Sequence, residues 1–210
     1  MALLHRATLT PSKLELINGW LPTRPWSGGG EVRSLGAYRF DDPAGEVGME
    51  AFLLERDDGQ VLHAPFTYRG APLAGAEQHL LGTIEHSVLG TRWVYDACAD
   101  PVWATALATA VLTGGTQVEE LIDVDGELEP RDPTATVVGS GSLSDPGLGV
   151  AEAVRAHDDG PTTVIRNDGL ELVVVRVVGH DVPLDETLTG RWAGGGPAVL
   201  AGVRSSEPDR

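Results

Sequence analysis

The stretch "DPVWATALATAVLTGG", residues 100–115, predicts the best-defined helix of the chain. Asp100 is a favourable N-cap because its carboxylate can accept a hydrogen bond from a first-turn N–H, and Pro101 suits the first helical position. Gly114 and Gly115 predict where the helix ends. We expect the helix to pack beside a sheet through an apolar face that is formed by Val102, Trp103, Ala106, Leu107, Ala110 and Val111.

Extended, apolar-rich segments before this helix predict strands. Asp58-Gly59 predicts a hairpin turn, since tight hairpin turns favour positive φ at their central residues. Residues 71–90 lack a clear period and are interpreted as irregular or loosely helical. The predicted strands cover residues 32–40, 47–56, 60–70 and 91–97.

The N-terminal segment predicts a strand that ends at Thr10 and a short helix over residues 11–18. Ser12 and Glu15 match a capping box, in which each residue satisfies a backbone N–H of the other. Gly19 predicts the end of this helix.

From residue 116 onward the pattern indicates strands only, in segments at 134–143, 162–179 and 197–204. Asp125-Gly126 and Asp168-Gly169 predict hairpin turns. The order strand–helix–strands–helix–strands predicts an α+β fold with mostly antiparallel pairing. We expect a first part over residues 1–115, a mainly β part over 116–205 packed on it, and a disordered tail at 206–210.

The composition excludes several classes of function. A formal net charge of −16 disfavours nucleic acid and anionic lipid as partners. No apolar run reaches the roughly 18 residues of a membrane-spanning helix, the N-terminus lacks the features of a signal peptide, and a single cysteine cannot form an intrachain disulfide. With Lys13 as its one lysine beside 14 arginines, the chain is typical of a cytoplasmic protein from a high-GC bacterium.

Residues 79–103 are the segment richest in reactive groups. His79 and His86 would lie roughly 10 Å apart on a helix, too far to share an ion, so no metal site is predicted. Cys98 is interpreted as a small buried filler rather than a nucleophile. His86 and Asp96 are predicted to form a buried polar pair, and no cofactor is expected.

Trp20, Trp26 and Trp192 lie near glycine-rich breaks, and two interpretations stay open for them: exposed platforms that stack on a sugar, or ordinary packing. The residues that could contact a ligand are Trp26, Arg69, Glu77, His79, His86, Asp96 and Trp192.

Four motifs between residues 61 and 115 resemble the N-terminal cap domain of bacterial maltokinases, and residues 1–60 resemble it more loosely. They are "TYRG" (67–70), "QHLLGT" (78–83), "WVYD" (93–96) and "DPVW" (100–103). The resemblance implies a cystatin-like arrangement, an antiparallel sheet curled over a helix, in proteins of maltose, trehalose and glycogen metabolism.

A maltokinase continues after its cap into a nucleotide-binding lobe and a catalytic lobe. Where the strands of such a nucleotide-binding lobe would place a phosphate-contacting lysine, this chain offers Val175 and Arg176. We therefore expect neither ATP hydrolysis nor sugar phosphorylation, with Arg176 able at most to hold a phosphate weakly.

Together these features predict a non-catalytic, stand-alone cap-type protein that regulates or scaffolds an enzyme of α-glucan metabolism. The expected partner is a maltokinase, a trehalose synthase or a maltosyltransferase, and a sugar ligand stays open. One alternative is a carbohydrate-acting enzyme that uses two of the carboxylates Glu77, Glu85 and Asp96 at a separation of about 5–9 Å. The other is a small-ligand sensor with its cavity between the two predicted parts.

Overall fold

A computed structural model of the protein describes residues 2–4, 7–124, 127–167 and 170–205. Within these residues the chain forms two six-stranded antiparallel sheets, a three-stranded sheet and two α-helices. The predicted mostly antiparallel pairing is confirmed, and α+β describes the fold only loosely because strands dominate it.

The first sheet is curled and holds helix α1, Lys13–Trp20, against its concave face. Both faces of this sheet are buried, which explains why its central strands are apolar at nearly every position. The strand order is β2-β6-β7-β5-β4-β3, with bounds Leu9–Thr10 (β2), Val32–Phe40 (β3), Val47–Arg56 (β4), Val61–Arg69 (β5), Leu80–His86 (β6) and Gly90–Asp96 (β7).

Helix α1 begins where the capping box predicts. The Ser12 hydroxyl accepts a hydrogen bond from the Glu15 N–H at 3.3 Å, and the Glu15 carboxylate accepts one from the Ser12 N–H at 2.8 Å. The predicted stop at Gly19 is wrong, since the helix continues to Trp20. Burial of the Trp20 ring beneath the curled sheet outweighs the helix-breaking tendency of glycine.

The interpretation of residues 71–90 as irregular or loosely helical is wrong over its second half. A 3₁₀ turn at Glu77–His79 leads into β6, which pairs with β7 from Leu80 opposite Tyr95 to His86 opposite Gly90. The predicted hairpin at Asp58-Gly59 is confirmed, with Gly59 at φ 84° between β4 and β5.

Helix α2, Pro101–Thr113, lies between the two large sheets. The Asp100 carboxylate accepts a hydrogen bond from the Val102 N–H at 3.0 Å, and Gly114 ends the helix at φ 70°, so both predicted caps are confirmed. The strand that follows residue 134 runs directly against the helix backbone, where a Cβ on Gly139 would lie 1.9 Å from the Ala110 carbonyl oxygen. Glycine is required there for close packing.

The second large sheet has the order β10-β14-β15-β13-β12-β11 and shares its apolar core with α2 and the convex face of the first sheet. Two of its strands, β11 and β14, lie outside the predicted segments. The bounds are Ala135–Gly139 (β10), Arg155–Asp159 (β11), Thr162–Asn167 (β12), Leu170–Val175 (β13), Glu186–Trp192 (β14) and Gly195–Ser205 (β15).

The small third sheet pairs the N-terminal strand with two strands that follow α2 in the chain. Its strands are Ala2–Leu4 (β1), Glu120–Val124 (β8) and Glu127–Arg131 (β9), with β1 parallel to β8 and β9 antiparallel to it. The predicted turns at Asp125-Gly126 and Asp168-Gly169 and the tail at 206–210 lie outside the described residues. The division at residue 115 stays a prediction.

Candidate functional site

The concave face of the first sheet is only partly filled by α1, and a cavity of about 440 Å³ remains beyond the N-terminal end of the helix. Its lining comes entirely from residues 7–92. The sensor alternative therefore has a cavity in the structure, but at the end of the first sheet rather than between the two predicted parts. Side chains that line its floor and walls include Lys13, Arg39, Tyr68, Ile84, His86 and Arg92.

A buried carboxylate, Glu50, organises the inner end of this face. It accepts hydrogen bonds from Lys13 Nζ and Arg39 Nη2, both at 2.5 Å, and from the Tyr68 hydroxyl at 3.1 Å. Burial by itself would raise the pKa of Glu50, but the two cations beside it hold that pKa below its usual value. Arg39 also approaches Glu120 of β8 at 3.5 Å, so the cluster connects the helix, the first sheet and the third sheet.

Arg92 of β7 also lines the cavity, and it differs from Lys13 and Arg39 in that no ion pair to a described carboxylate is formed. It pairs in register with Ile84, and its guanidinium reaches across the sheet to within 3.0 Å of where a Cβ on Gly70 would lie. Its Nε is buried without a hydrogen-bond partner among the described residues. A buried N–H that lacks an acceptor costs about 1–3 kcal/mol.

Of the predicted ligand-contacting residues, His86 lines the cavity. Its Nδ1 accepts hydrogen bonds from the Val88 N–H at 3.2 Å and the Leu89 N–H at 3.0 Å. An imidazole nitrogen that accepts carries no proton, so in the neutral ring the proton is on Nε2. The predicted pair between His86 and Asp96 is wrong, because the two residues lie near opposite ends of the β6–β7 hairpin.

Asp96 instead forms a fully buried ion pair with Arg176, which follows β13 of the second large sheet. Arg176 Nη2 donates to the two carboxylate oxygens of Asp96 at 2.7 and 2.5 Å, and its Nε donates to the Thr163 hydroxyl at 2.8 Å. The guanidinium also stacks over the Trp26 ring at 4.7 Å. Arg176 is 0% exposed, so the weak phosphate contact that the sequence allows at this residue has no access to the guanidinium.

The three tryptophans considered as stacking platforms differ in burial. Trp20 and Trp26 are only 6% and 5% exposed, so the interpretation of these two rings as exposed stacking platforms is wrong. Trp26 Nε1 donates to Asp158 at 3.2 Å, which connects the N-terminal segment to β11. Trp192 is partly buried and packs against the core between the sheets.

The remaining predicted residues do not meet at one point. Arg69 makes two hydrogen bonds of 2.7 Å to Asp100 and so fixes the N-terminal end of α2. Glu77 is exposed and accepts from the Gly75 N–H, and partial burial lowers the pKa of His79.

The two strand carboxylates, Glu85 and Asp96, lie at opposite ends of the hairpin. Glu85 is opposite Thr91, and Asp96 lies five positions beyond Thr91 along β7. At 3.3 Å per residue this is roughly 17 Å, so this one pair is too far apart for the carboxylate-enzyme alternative.

Cys98 is fully buried, as predicted, with its Sγ 3.1 Å from Arg176 Nη2. Burial raises the pKa of this thiol well above its usual value even though the cation opposes that change. The thiol therefore stays protonated at neutral pH and is a poor nucleophile.

Comparison with known families confirms the resemblance. The family model of the maltokinase N-terminal cap domain matches residues 20–100, from the end of α1 to the N-cap of α2. Five of the six strands of the first sheet, β3 to β7, lie in full within that match. A comparison with curated proteins gives no match at all. Among the described residues, every helix is too short or too polar to cross a lipid bilayer.

Proposed function

We propose that the chain is a non-catalytic, cap-type protein that regulates or scaffolds an enzyme of maltose, trehalose or glycogen metabolism. The match of residues 20–100 to the maltokinase N-terminal cap domain carries the proposal. A cap domain accompanies an enzyme, so the partner classes that follow are a maltokinase, a trehalose synthase and a maltosyltransferase.

The geometry of the densest reactive segment supports a structural role for it. Asp96 and Asp100 are engaged by arginines at 2.5–2.7 Å, and burial keeps the Cys98 thiol protonated. Groups held in this way position α2 and the second large sheet. They contribute to folding rather than to bond-breaking chemistry.

The proposal also indicates where a partner would bind. The turn between β6 and β7 presents Val88 at 58% exposure, and this turn lies inside the matched region. Val150 is 60% exposed on a loop outside that region. The two valines therefore form a matched pair of equal chemistry and nearly equal exposure.

The test mixes the purified chain with each purified enzyme and measures complex formation by size-exclusion chromatography with light scattering, together with the enzyme's kcat and KM. We expect one enzyme to co-elute with the chain and to change its kinetics. Val88→Glu should weaken that complex about tenfold or more, as expected for a charge placed in an apolar contact, whereas Val150→Glu should leave it unchanged. If none of the three enzymes co-elutes or changes its kinetics, the proposal is wrong.

A further inference from the structure

The cavity on the concave face has the size and lining of a small-molecule site. Its volume of about 440 Å³ falls within the range of roughly 300–1,000 Å³ that is typical of ligand pockets. Apolar walls come from Ile84 of β6 and from Leu89, which is 44% exposed at the mouth. Such a cavity accepts an organic body several atoms in length.

The charges of the inner wall leave one cation without a counter-charge. Lys13 and Arg39 are neutralised by ion pairs to Glu50, and Arg39 also approaches Glu120. Arg92 forms no ion pair with any carboxylate in the described part of the chain, and its Nε lacks an acceptor. Because the Nε is buried, a ligand would have to meet Arg92 at its two terminal nitrogens, and a guanidinium can bind a planar carboxylate through two parallel hydrogen bonds.

The rim of the cavity sets a limit on the charge of the ligand. Asp41, Asp42 and Glu46, in the turn between β3 and β4, line the same cavity and contribute negative potential. The Asp42 carboxylate is fixed there by three backbone N–H groups, of Ala44, Glu46 and Val47, at 2.9–3.0 Å. A dianion such as phosphate would meet this repulsion twice, so a single negative charge fits better.

An uncrowded strand position keeps the cavity open. Gly48 of β4 lines the cavity opposite Tyr68, and a Cβ added there would touch the Tyr68 side chain at an ordinary 3.5 Å. Alanine is therefore tolerated at this position, while a long side chain would extend into the cavity and fill it.

From these observations we propose that the cavity binds a small organic monocarboxylate, with the carboxylate on Arg92 and the apolar body against Tyr68, Ile84 and Leu89. This site differs from the partner surface in that its cation, Arg92, lies on β7, although Leu89 belongs to the same β6–β7 turn as Val88.

The test uses saturation-transfer NMR and calorimetry on the full chain with four probes: benzoate, 4-methylpentanoate and their neutral amides. We expect the two carboxylates to bind with dissociation constants in the millimolar range or tighter, about 10- to 100-fold more tightly than the amides, because a hydrogen bond to a charged group is the stronger kind. R92Q should abolish this preference. Arg33→Gln, at a side chain 70% exposed on β3, is the matched control and should keep it.

Two further measurements separate a ligand-binding role from a structural one. R92Q should leave the midpoint of thermal unfolding unchanged or raise it, since it removes an N–H that the fold does not satisfy. Gly48→Leu should block all four probes, whereas Gly48→Ala should not. The proposal is wrong if the acids bind no more tightly than the amides, or if phosphate binds in preference to the acids. It is also wrong if maltose binds and R92Q leaves that binding intact, or if neither acid binds detectably at about 10 mM.

Discussion

A buried histidine predicts how the stability of this protein depends on pH. His63 of β5 is 0% exposed between the two large sheets, where its Nδ1 donates to the Leu200 carbonyl at 3.2 Å and its Nε2 accepts from the Tyr38 hydroxyl at 3.0 Å. Burial, reinforced by the nearby positive charge of Arg176, lowers the pKa of His63 to about 3. The folded protein therefore holds this ring neutral across the physiological range.

The direction in which the free energy of unfolding changes with pH follows from proton uptake by the unfolded chain. In the unfolded chain a histidine has a pKa of about 6.5, so below that pH the unfolded state binds a proton that the folded state does not. The stabilisation is complete above about pH 6.5 and is lost progressively as the pH falls toward 3. Between about pH 7.5 and 5.5 the loss from this one residue is about 1.4 kcal/mol.

The assay is urea unfolding followed by tryptophan fluorescence at those two pH values. We compare the wild type with His63→Asn, whose side-chain amide does not titrate and can still donate to the Leu200 carbonyl. From pH 7.5 to 5.5 the free energy of unfolding should fall by about 1.4 kcal/mol more for the wild type than for His63→Asn, whatever the absolute stability of the variant. His180→Gln, at an exposed position, is the control and should keep the wild-type difference in unfolding free energy between the two pH values. Equal pH slopes for wild type and His63→Asn would refute the reasoning.

Three substitutions test the contacts that hold the sheets and α2 together, each by the change in the free energy of unfolding. Asp96→Asn leaves the charge of Arg176 buried without its counter-charge and should cost about 3–5 kcal/mol. Asp100→Ala removes both the N-cap of α2 and the acceptor of Arg69, for a loss of about 2–4 kcal/mol. Gly139→Ala forces a methyl group against the helix backbone and should cost about 3 kcal/mol or more.

Matched controls keep these three interpretations separate. Gly149→Ala places a methyl group where nothing lies within 4 Å and should change stability by less than about 0.5 kcal/mol. Asp58→Asn, at a side chain 55% exposed in the β4–β5 turn, should likewise have little effect. If Asp96→Asn costs no more than Asp58→Asn, the ion pair with Arg176 is not buried as described.

The sequence predicts α2 well because its signals are local. Asp100, Pro101 and Gly114 act within one turn of the helix ends, and the structure places each where it is expected. Strand β6 was not predicted, since Gly82 interrupts its pattern and adopts φ 148°, a conformation that leaves a register shift in the pairing with β7. The apolar pair Leu80 and Leu81 together with Ile84 was the available signal for this strand.

The cavity could not be predicted from the sequence, because its residues meet only through strand register and helix packing. Arg39 reaches Glu50 since the two are paired across β3 and β4, and Arg92 lies beside Ile84 through the β6–β7 pairing. Lys13 joins them from the first position of α1. That it is the one lysine among 14 arginines is at most a weak indication of a special position.

The two arginines that matter most here differ in one physical respect, and that difference separates structure from candidate function. Arg176 is fully buried, and hydrogen bonds to Asp96 and Thr163 satisfy two of its three nitrogens. Such a pair contributes to the arrangement of the sheets, because removing either member would leave a buried charge alone. Arg92 lines an open cavity, and its buried Nε lacks an acceptor among the described residues. Arg176 also has one buried nitrogen without an acceptor, Nη1, so the difference between the two arginines is the counter-charge: Asp96 supplies it to Arg176, and a ligand carboxylate would supply it to Arg92.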